Sequence, residues 1–560
     1  VSKFLSAALL LSVAAAAFAQ QQQPNLIETV EVHVVNVDVV VTDRQGNRIH
    51  GLTKNDFEIY EDKRPQAITN FYESRDDAPA APAAATTAAT PTPTPAPQPE
   101  PQQRQHRRFA FFIDNDSLHP TVRKDVLASL RKFVDANFLP GDEASVISFN
   151  RAPKIVAPLM TDKASILKAI DDVALLGSPV SIKTDLSRVQ QACTNDLRMA
   201  QSGRIQMRSA YDDCIGMVGQ QTGEISMSSK RMMAAIKITL ATLNSGVEAK
   251  KVLVVAGARL PTKPGAELYQ WANQLFSPYL TGFNRPTEQP REDQQEDLIQ
   301  DVARVANSDG VTMYLLHAPY STDPNAIQNA IAVSDNGADF LSAAGTYEAY
   351  KTLAQMTGGM VVSRAANFDL AFNTIARDLG SYYSLGYRPA DSSARERDIA
   401  VKLRKSGDYV VRARQTYAPK TLDEQFADRV ISNVFSPAAT PEWPISIRTG
   451  KPEPDGRNFK VPVEVTIPST ITLLPQAGTT LAGGFQVYIV VGNETGSLSD
   501  VARRPQPVTV EKTGEAELRK EPFRFTMTLT VRPGLNWLSI GVVDQIASTT
   551  GLARATINAK

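Results

Sequence analysis

Hydrophobic and polar positions follow two different rhythms along this chain, and the switches between them divide it. Residues 30–42, Val-Glu-Val-His-Val-Val-Asn-Val-Asp-Val-Val-Val-Thr, alternate with period two and are β-branched, which predicts strands. A turn at 43–46 (Asp-Arg-Gln-Gly) and short strand patterns at 57–60 and 67–71 complete a small all-β module over 26–76, read as a compact β-sandwich. Residues 77–106 are rich in Pro, Ala and Thr, cannot build a core, and predict an extended linker. From 107 to 418 apolar runs alternate with helical periodicity. The strand candidates are 109–113, 144–149, 154–158, 251–256, 311–316 and 360–363. The helix candidates are 122–138, 164–173, 230–243, 297–307 and 347–356; the first places Val126, Leu130, Phe133 and Val134 on one face, and Gly358-Gly359 stop the last. This repetition predicts a Rossmann-like α/β domain, a doubly wound and mostly parallel sheet.

Two stretches break the rhythm. Residues 188–228 are polar, rich in Gln, Met and Ser, and read as an insertion on the strand-tip side; 281–295 are Pro- and charge-rich and read as an exposed loop. The runs 398–403 and 409–414 flank Lys405-Ser406-Gly407-Asp408 and predict a hairpin that closes the domain, with 381–387 as its neighbour. A helical connector over 419–440 then leads to 441–560. There strand patterns at 445–448, 459–467, 485–491, 507–510, 523–531, 537–543 and 554–557 predict a C-terminal β-sandwich of immunoglobulin type.

Length and charge narrow the picture. A chain of 560 residues with 42% hydrophobic residues exceeds a single core, and about three or four domains are expected. The formal net charge is +0 with no Lys/Arg block, which argues against nucleic acid as a partner. Lys3 precedes an apolar run over 4–18, and Ala17-Phe18-Ala19 fits a small-x-small cleavage site, so 1–19 read as a signal peptide. The alternative is an uncleaved membrane anchor. No later stretch is long and apolar enough to span a bilayer. The expected location is therefore outside the cytoplasm: periplasmic, outer-envelope or extracellular. The only cysteines, Cys193 and Cys214, stand 21 positions apart and form a natural disulfide in an oxidising compartment, the alternative being two buried thiols. The five histidines show no zinc-ligand spacing.

Candidate chemistry centres on 109–114, Phe-Ala-Phe-Phe-Ile-Asp, an apolar strand that delivers Asp114 to its C-terminal tip. Ligands of open α/β sheets bind just beyond such strand ends. The central domain resembles a von Willebrand factor type A domain. Residues 37–43 (Val-Asp-Val-Val-Val-Thr-Asp) and 51–62 (Gly-Leu-Thr-Lys-Asn-Asp-Phe-Glu-Ile-Tyr-Glu-Asp) resemble the N-terminal motif of acidobacterial proteins built around that domain. The resemblance covers about residues 27–417. It implies a metal-ion-dependent adhesion site for Mg²⁺ or Mn²⁺, with an Asp-x-Ser-x-Ser turn after the first strand, a Thr on a second loop and an Asp after the fourth strand. A hard divalent cation needs oxygen ligands in near-octahedral geometry, and adjacent loop tips supply them.

The match is partial. Asp114 holds the first position and Asp116 replaces the first Ser with another oxygen donor. Leu118 replaces the second Ser and cannot ligate, while Ser117 is one residue out of register. Thr184, within Lys183-Thr184-Asp185-Leu186, is the candidate for the second loop. Val254-Val255-Ala256-Gly257 lacks the fourth-strand Asp. The expectation is a degenerate site of Asp114, Asp116 and Thr184; the alternative is that Asp114 and Asp116 cap the following helix or accept loop N–H groups.

Other motifs are absent from the sequence: no phosphate-binding Gly-x-x-x-x-Gly-Lys loop, no His-Glu-x-x-His, no Gly-x-Ser-x-Gly elbow. Asp171-Asp172 and Asp212-Asp213 read as solvated faces, and Met227, Met232 and Met233 as helix core. The functional expectation is an exported, non-enzymatic protein that mediates protein–protein interaction or adhesion at the cell envelope. Its contact rim would comprise Asp114, Asp116, Ser117, Thr184 and Asp185. The alternatives are an exported hydrolase using the rim carboxylates and a structural envelope protein with an inactive site.

Overall fold

A computed structural model describes residues 34–75, 106–176, 181–244, 249–279, 295–319, 337–363, 367–389, 395–405, 407–435, 443–476, 478–493 and 498–560. The expected signal peptide, nearly all of the linker and the 281–295 loop except its last residue lie outside them.

The first strands are β1 (Val35–Asp43), β2 (Phe57–Glu61), β3 (Arg64–Gln66) and β4 (Ile68–Arg75). The α/β unit follows: β5 (Arg107–Asp114), α1 (Pro120–Asn137), β6 (Glu143–Phe149), β7 (Pro153–Met160), α2 (Lys163–Leu175), α3 (Ser181–Gln201), α4 (Met207–Thr242), β8 (Lys250–Gly257), α5 (Ala266–Phe276), α6 (Gln295–Ser308), β9 (Val311–His317), α7 (Gly337–Met356), β10 (Met360–Ser363) and α8 (Phe368–Leu379). Then come β11 (Ser381–Tyr387), β12 (Arg397–Leu403), β13 (Tyr409–Arg412), β14 (Thr416–Tyr417) and α9 (Leu422–Phe435).

The six strands expected for the α/β sheet form one sheet in the order β10-β9-β8-β5-β6-β7, parallel except for β7 at one edge. Every residue of β5 is buried, as a strand covered on both faces requires. Its side chains divide by parity. Phe109, Phe111 and Ile113 pack beneath α1, α2 and α8, and Ala110 and Phe112 pack beneath α4, α6 and α7. Each buried Phe contributes about 1.5–3 kcal/mol by leaving water. The strand order reverses beside β5, and Asp114 sits at the C-terminal end of β5 at that switch point.

The segment expected as an irregular polar insertion is helical instead, formed by α3 and the 36-residue α4. Its apolar stripe is narrow: Val189, Cys193 and Leu197 recur every four residues and meet Ala210, Tyr211, Cys214 and Val218. Polar residues on the remaining faces hid that period. The Cys193–Cys214 disulfide joins the two helices at a Cα separation of 4.9 Å. Of the methionines expected in the core, Met232 and Met233 are buried, but Met227 is 49% exposed.

The expected stand-alone N-terminal module and closing hairpin are replaced by one shared body. Two four-stranded sheets run β13-β1-β11-β4 and β14-β12-β2-β3, so early and late strands interleave in both. The two flanks of the expected hairpin part company: β12 pairs with β2, and β13 pairs with β1. One core fills the body, with Val37, Val39, Phe57 and Ile59 from the early strands against Tyr383, Leu385 and Ile399 from the late ones. Tyr387 Oη donates to Glu61 at 2.7 Å and Tyr383 Oη to the Ile49 carbonyl at 2.8 Å. Antiparallel pairing over such sequence distances leaves no local signal. Beyond α9, strands over 446–559 form two antiparallel sheets around a core that includes Trp443, Val461, Val487 and Leu538. The helix α9 lays Phe426, Val430 and Val434 on the outside of one of them, against Tyr488, Val490 and Leu552.

Candidate functional site at the strand-end rim

The chain leaves β5 in a tight polar turn. Asp114 is 2% exposed, and its Oδ1 accepts the backbone N–H groups of Asp116 at 3.1 Å and Ser117 at 3.2 Å. Its Oδ2 accepts the Ser117 hydroxyl. Asn115 N–H donates to the Phe149 carbonyl at 2.8 Å, and Asn115 Nδ2 donates to Ser148 Oγ at 2.9 Å, so the turn is fastened to β6. Helix α1 is capped by another residue: His119 Nδ1 accepts the Thr121 N–H, and Pro120 stands at the first helical position. Of the two roles weighed for Asp114 as an alternative to metal binding, it takes the loop N–H role and not the helix cap.

Neighbouring strand ends close around the turn. Ser117 Oγ accepts the Ala258 N–H at 2.9 Å, just past β8. Ser228 on α4 donates to Asp116 Oδ2 at 2.9 Å, which ties the helical insertion to the rim. The other Asp116 oxygen is buried and has no hydrogen-bond partner among the described residues. Leu118 points into the core beneath α1 and is 2% exposed, so the hydroxyl that reaches Asp114 is that of Ser117.

Beneath the turn lies a buried aromatic and polar group that the sequence did not announce. Gly257 ends β8 opposite His317 on β9. A Cβ on Gly257 would stand 2.5 Å from Tyr350 Oη, 3.1 Å from Asp114 Cβ and 3.2 Å from Asp114 Oδ2. Tyr350, on α7, is fully buried, and its ring meets His317 edge-on with centroids 5.9 Å apart. His317 Nδ1 lies 3.2 Å from Ser363 Oγ.

The electrostatics follow from burial. Loss of solvent pushes the Asp114 carboxyl up to about 7; the Ser117 hydrogen bond and the Arg259 charge oppose the rise, and the Asp116 charge adds to it. Burial pushes the His317 imidazole down to about 4. Burial, and then the nearby Asp114, raise the Tyr350 phenol well above its ordinary value.

Asp114, Asp116 and Ser117 are thus brought together as the sequence pattern implied. Thr184 and Asp185 fall near the start of α3, and their side chains lie outside the described residues. Among the described residues no three His, Cys, Asp or Glu side chains gather as a metal group. Among the described residues, the oxygens around Asp114 do not complete a divalent-cation site. Both Asp114 oxygens already accept protein donors, Ser117 Oγ is engaged on two sides, and β8 offers Gly257 where a carboxylate would be needed. Residues missed by sequence reasoning are Ser228, Gly257, His317 and Tyr350. Only Gly257 carried a signal, as the residue standing where a carboxylate was expected.

No protein-family model and no curated protein matches the sequence. Similar solved structures include a von Willebrand factor type A protein from Catenulispora acidiphila, at 10% identity, covering 88% of this chain and 72% of that one with a TM-score of 0.24. They include the von Willebrand factor domain of the type V pili tip protein Mfa5 from Porphyromonas gingivalis, at 12% identity, with 49% and 94% covered and a TM-score of 0.23. A third is the manganese-loaded TRAP protein of Plasmodium vivax, at 8% identity, with 56% and 96% covered and a TM-score of 0.22. The chain is similar to von Willebrand factor type A domains.

Proposed function

We propose that this chain is an exported protein that binds a protein partner at the cell envelope, at the strand-end rim of its α/β sheet. The contact surface comprises the Asp114–Ser117 turn, the Ala258 edge and the outer face of the α3–α4 hairpin. One observation carries the reading: turn, strand end and hairpin are locked to one another by Ser117–Ala258 and Ser228–Asp116 hydrogen bonds. A rim held this way is preorganised and loses little conformational freedom on binding. Met227, half exposed and next to Ser228, adds an adaptable apolar contact at its edge.

The same geometry favours binding over hydrolysis. A serine hydrolase would add an imidazole beside the Ser117–Asp114 pair, but the nearby buried histidine, His317, faces Ser363 instead.

The test is capture from a cell-envelope extract by immobilised full-length protein. Wild type and Met227→Glu are compared, with identical melting curves as the control for folding. The expected result is a partner retained by wild type and lost by the variant. Equal capture by both proteins would reject the rim as the contact surface.

A further inference from the structure

We infer that the rim works without a divalent cation, because Tyr350 occupies the space beside Asp114 into which a ligand on β8 would have to project. The inference rests on the reading of this rim as the contact surface, and it goes further by fixing how that surface is held together.

Gly257 stands opposite His317 on β9, one residue past the Ala256–Ile113 pair with β5, and its carbonyl accepts the Ala318 N–H at 2.9 Å. A side chain here would point at Asp114, as the 3.1 Å and 3.2 Å approaches of its Cβ position show. That is the direction a metal ligand needs. The same Cβ position lies 2.5 Å from Tyr350 Oη, closer than real Cβ contacts come. Neither atom yields easily: Gly257 is held in the parallel ladder, and Tyr350 is packed among Leu353, Ala354 and Leu315 with no exposed surface. The glycine is therefore the complement of the tyrosine, and the two exclude a carboxylate together.

The protein groups around Asp114 then take over a cation's structural task. A cation at such a site draws loop tips from several strands to one point. Here two backbone N–H groups and the Ser117 hydroxyl converge on Asp114, and Ser117 in turn gathers in the Ala258 N–H. Past the last rungs of their ladder, the β5 and β8 tips are thus bridged by Ser117.

The experiment has two arms that do not depend on any partner. In the first, Mn²⁺ and Mg²⁺ are titrated calorimetrically into full-length wild type and Asp114→Asn. The expected result is no saturable heat in either protein. Saturable Mn²⁺ binding by wild type that Asp114→Asn abolishes would overturn the inference. In the second, melting temperatures are compared for Gly257→Ala, Tyr350→Phe and the double variant. Gly257→Ala should melt lower than wild type or fail to fold, and removing the phenol oxygen in the double variant should return most of the loss. A neutral Gly257→Ala, or a double variant no better than Gly257→Ala, would show that Tyr350 does not hold this space. Failure to capture a partner leaves both arms intact, so this inference and the proposed function fail separately.

Discussion

Replacing Asp114 by Asn isolates the cost of a buried carboxylate. Burial raises this carboxyl from an ordinary 3.8 to about 7. A shift of about three pH units corresponds to about 4 kcal/mol between the two protonation states. The sign follows from proton counting. Between about pH 4 and pH 7 the folded chain keeps the Asp114 proton and the unfolded chain has lost it, so this group's contribution to stability is present at acid pH and is lost as pH rises through the window. His317 works the other way: its folded value of about 4 lies below the ordinary 6.5, so its contribution is lost as pH falls through nearly the same range. The two slopes offset one another in wild type, and only a comparison at fixed His317 separates them. An amide at position 114 mimics the protonated acid. Its oxygen still accepts from the Asp116 and Ser117 N–H groups, and its nitrogen faces a serine oxygen that can accept. Relative to Asp114→Asn, wild type should therefore lose about 4 kcal/mol between pH 4 and pH 7. Amide protection of peptides covering β5, followed in urea across that range, reports the stability of this layer directly. Profiles that run parallel for the two proteins would refute the picture of a buried carboxyl that retains its proton.

Two further perturbations probe other parts of the molecule. Replacing both Cys193 and Cys214 by Ser reopens the covalent ring that closes over a sequence separation of 21 across the end of α3 and the start of α4, which costs the hairpin about 3 kcal/mol in the chain-entropy model; cleavage between the helices by a limiting protease should accelerate while β5 protection stays unchanged, and unaltered cleavage would contradict this. Lys420 donates to Asp309 at 2.6 Å and also pairs with Asp428, and the Asp309 side chain is only 2% exposed. Lys420→Ala leaves that charge buried without its cation and should cost about 3–5 kcal/mol in urea unfolding, and adding Asp309→Asn should recover most of the loss; a neutral single variant would contradict the pairing.

The α/β layer was legible because its signals are local. A fully apolar strand such as 109–113 and the Val126, Leu130, Phe133 and Val134 helix face each declare themselves within a dozen residues. Asp114 was legible for the same reason, since a carboxylate at the end of such a strand has one place to go. The interleaved early and late strands were not, because the pairing of Val39 with Tyr383 is written in neither segment. The α3–α4 hairpin was hidden by composition, its stripe of Val189, Cys193 and Leu197 being too thin to outweigh the polar faces. Tyr350 was invisible for a different reason. Nothing in a helix of ordinary composition tells which residue will reach under a glycine on a distant strand.

The shared body of β1–β4 and β11–β14 has a consequence for biogenesis. During synthesis β1 emerges long before β11, so its N–H and C=O groups travel as a bare edge until the last of the α/β unit has been made. Exposed edges of this kind invite pairing with other chains. A nascent chain of this architecture therefore carries that unpaired edge until residue 417 is available. Truncation anywhere between 107 and 417 leaves an orphaned half-sheet that favours aggregation over a soluble fragment.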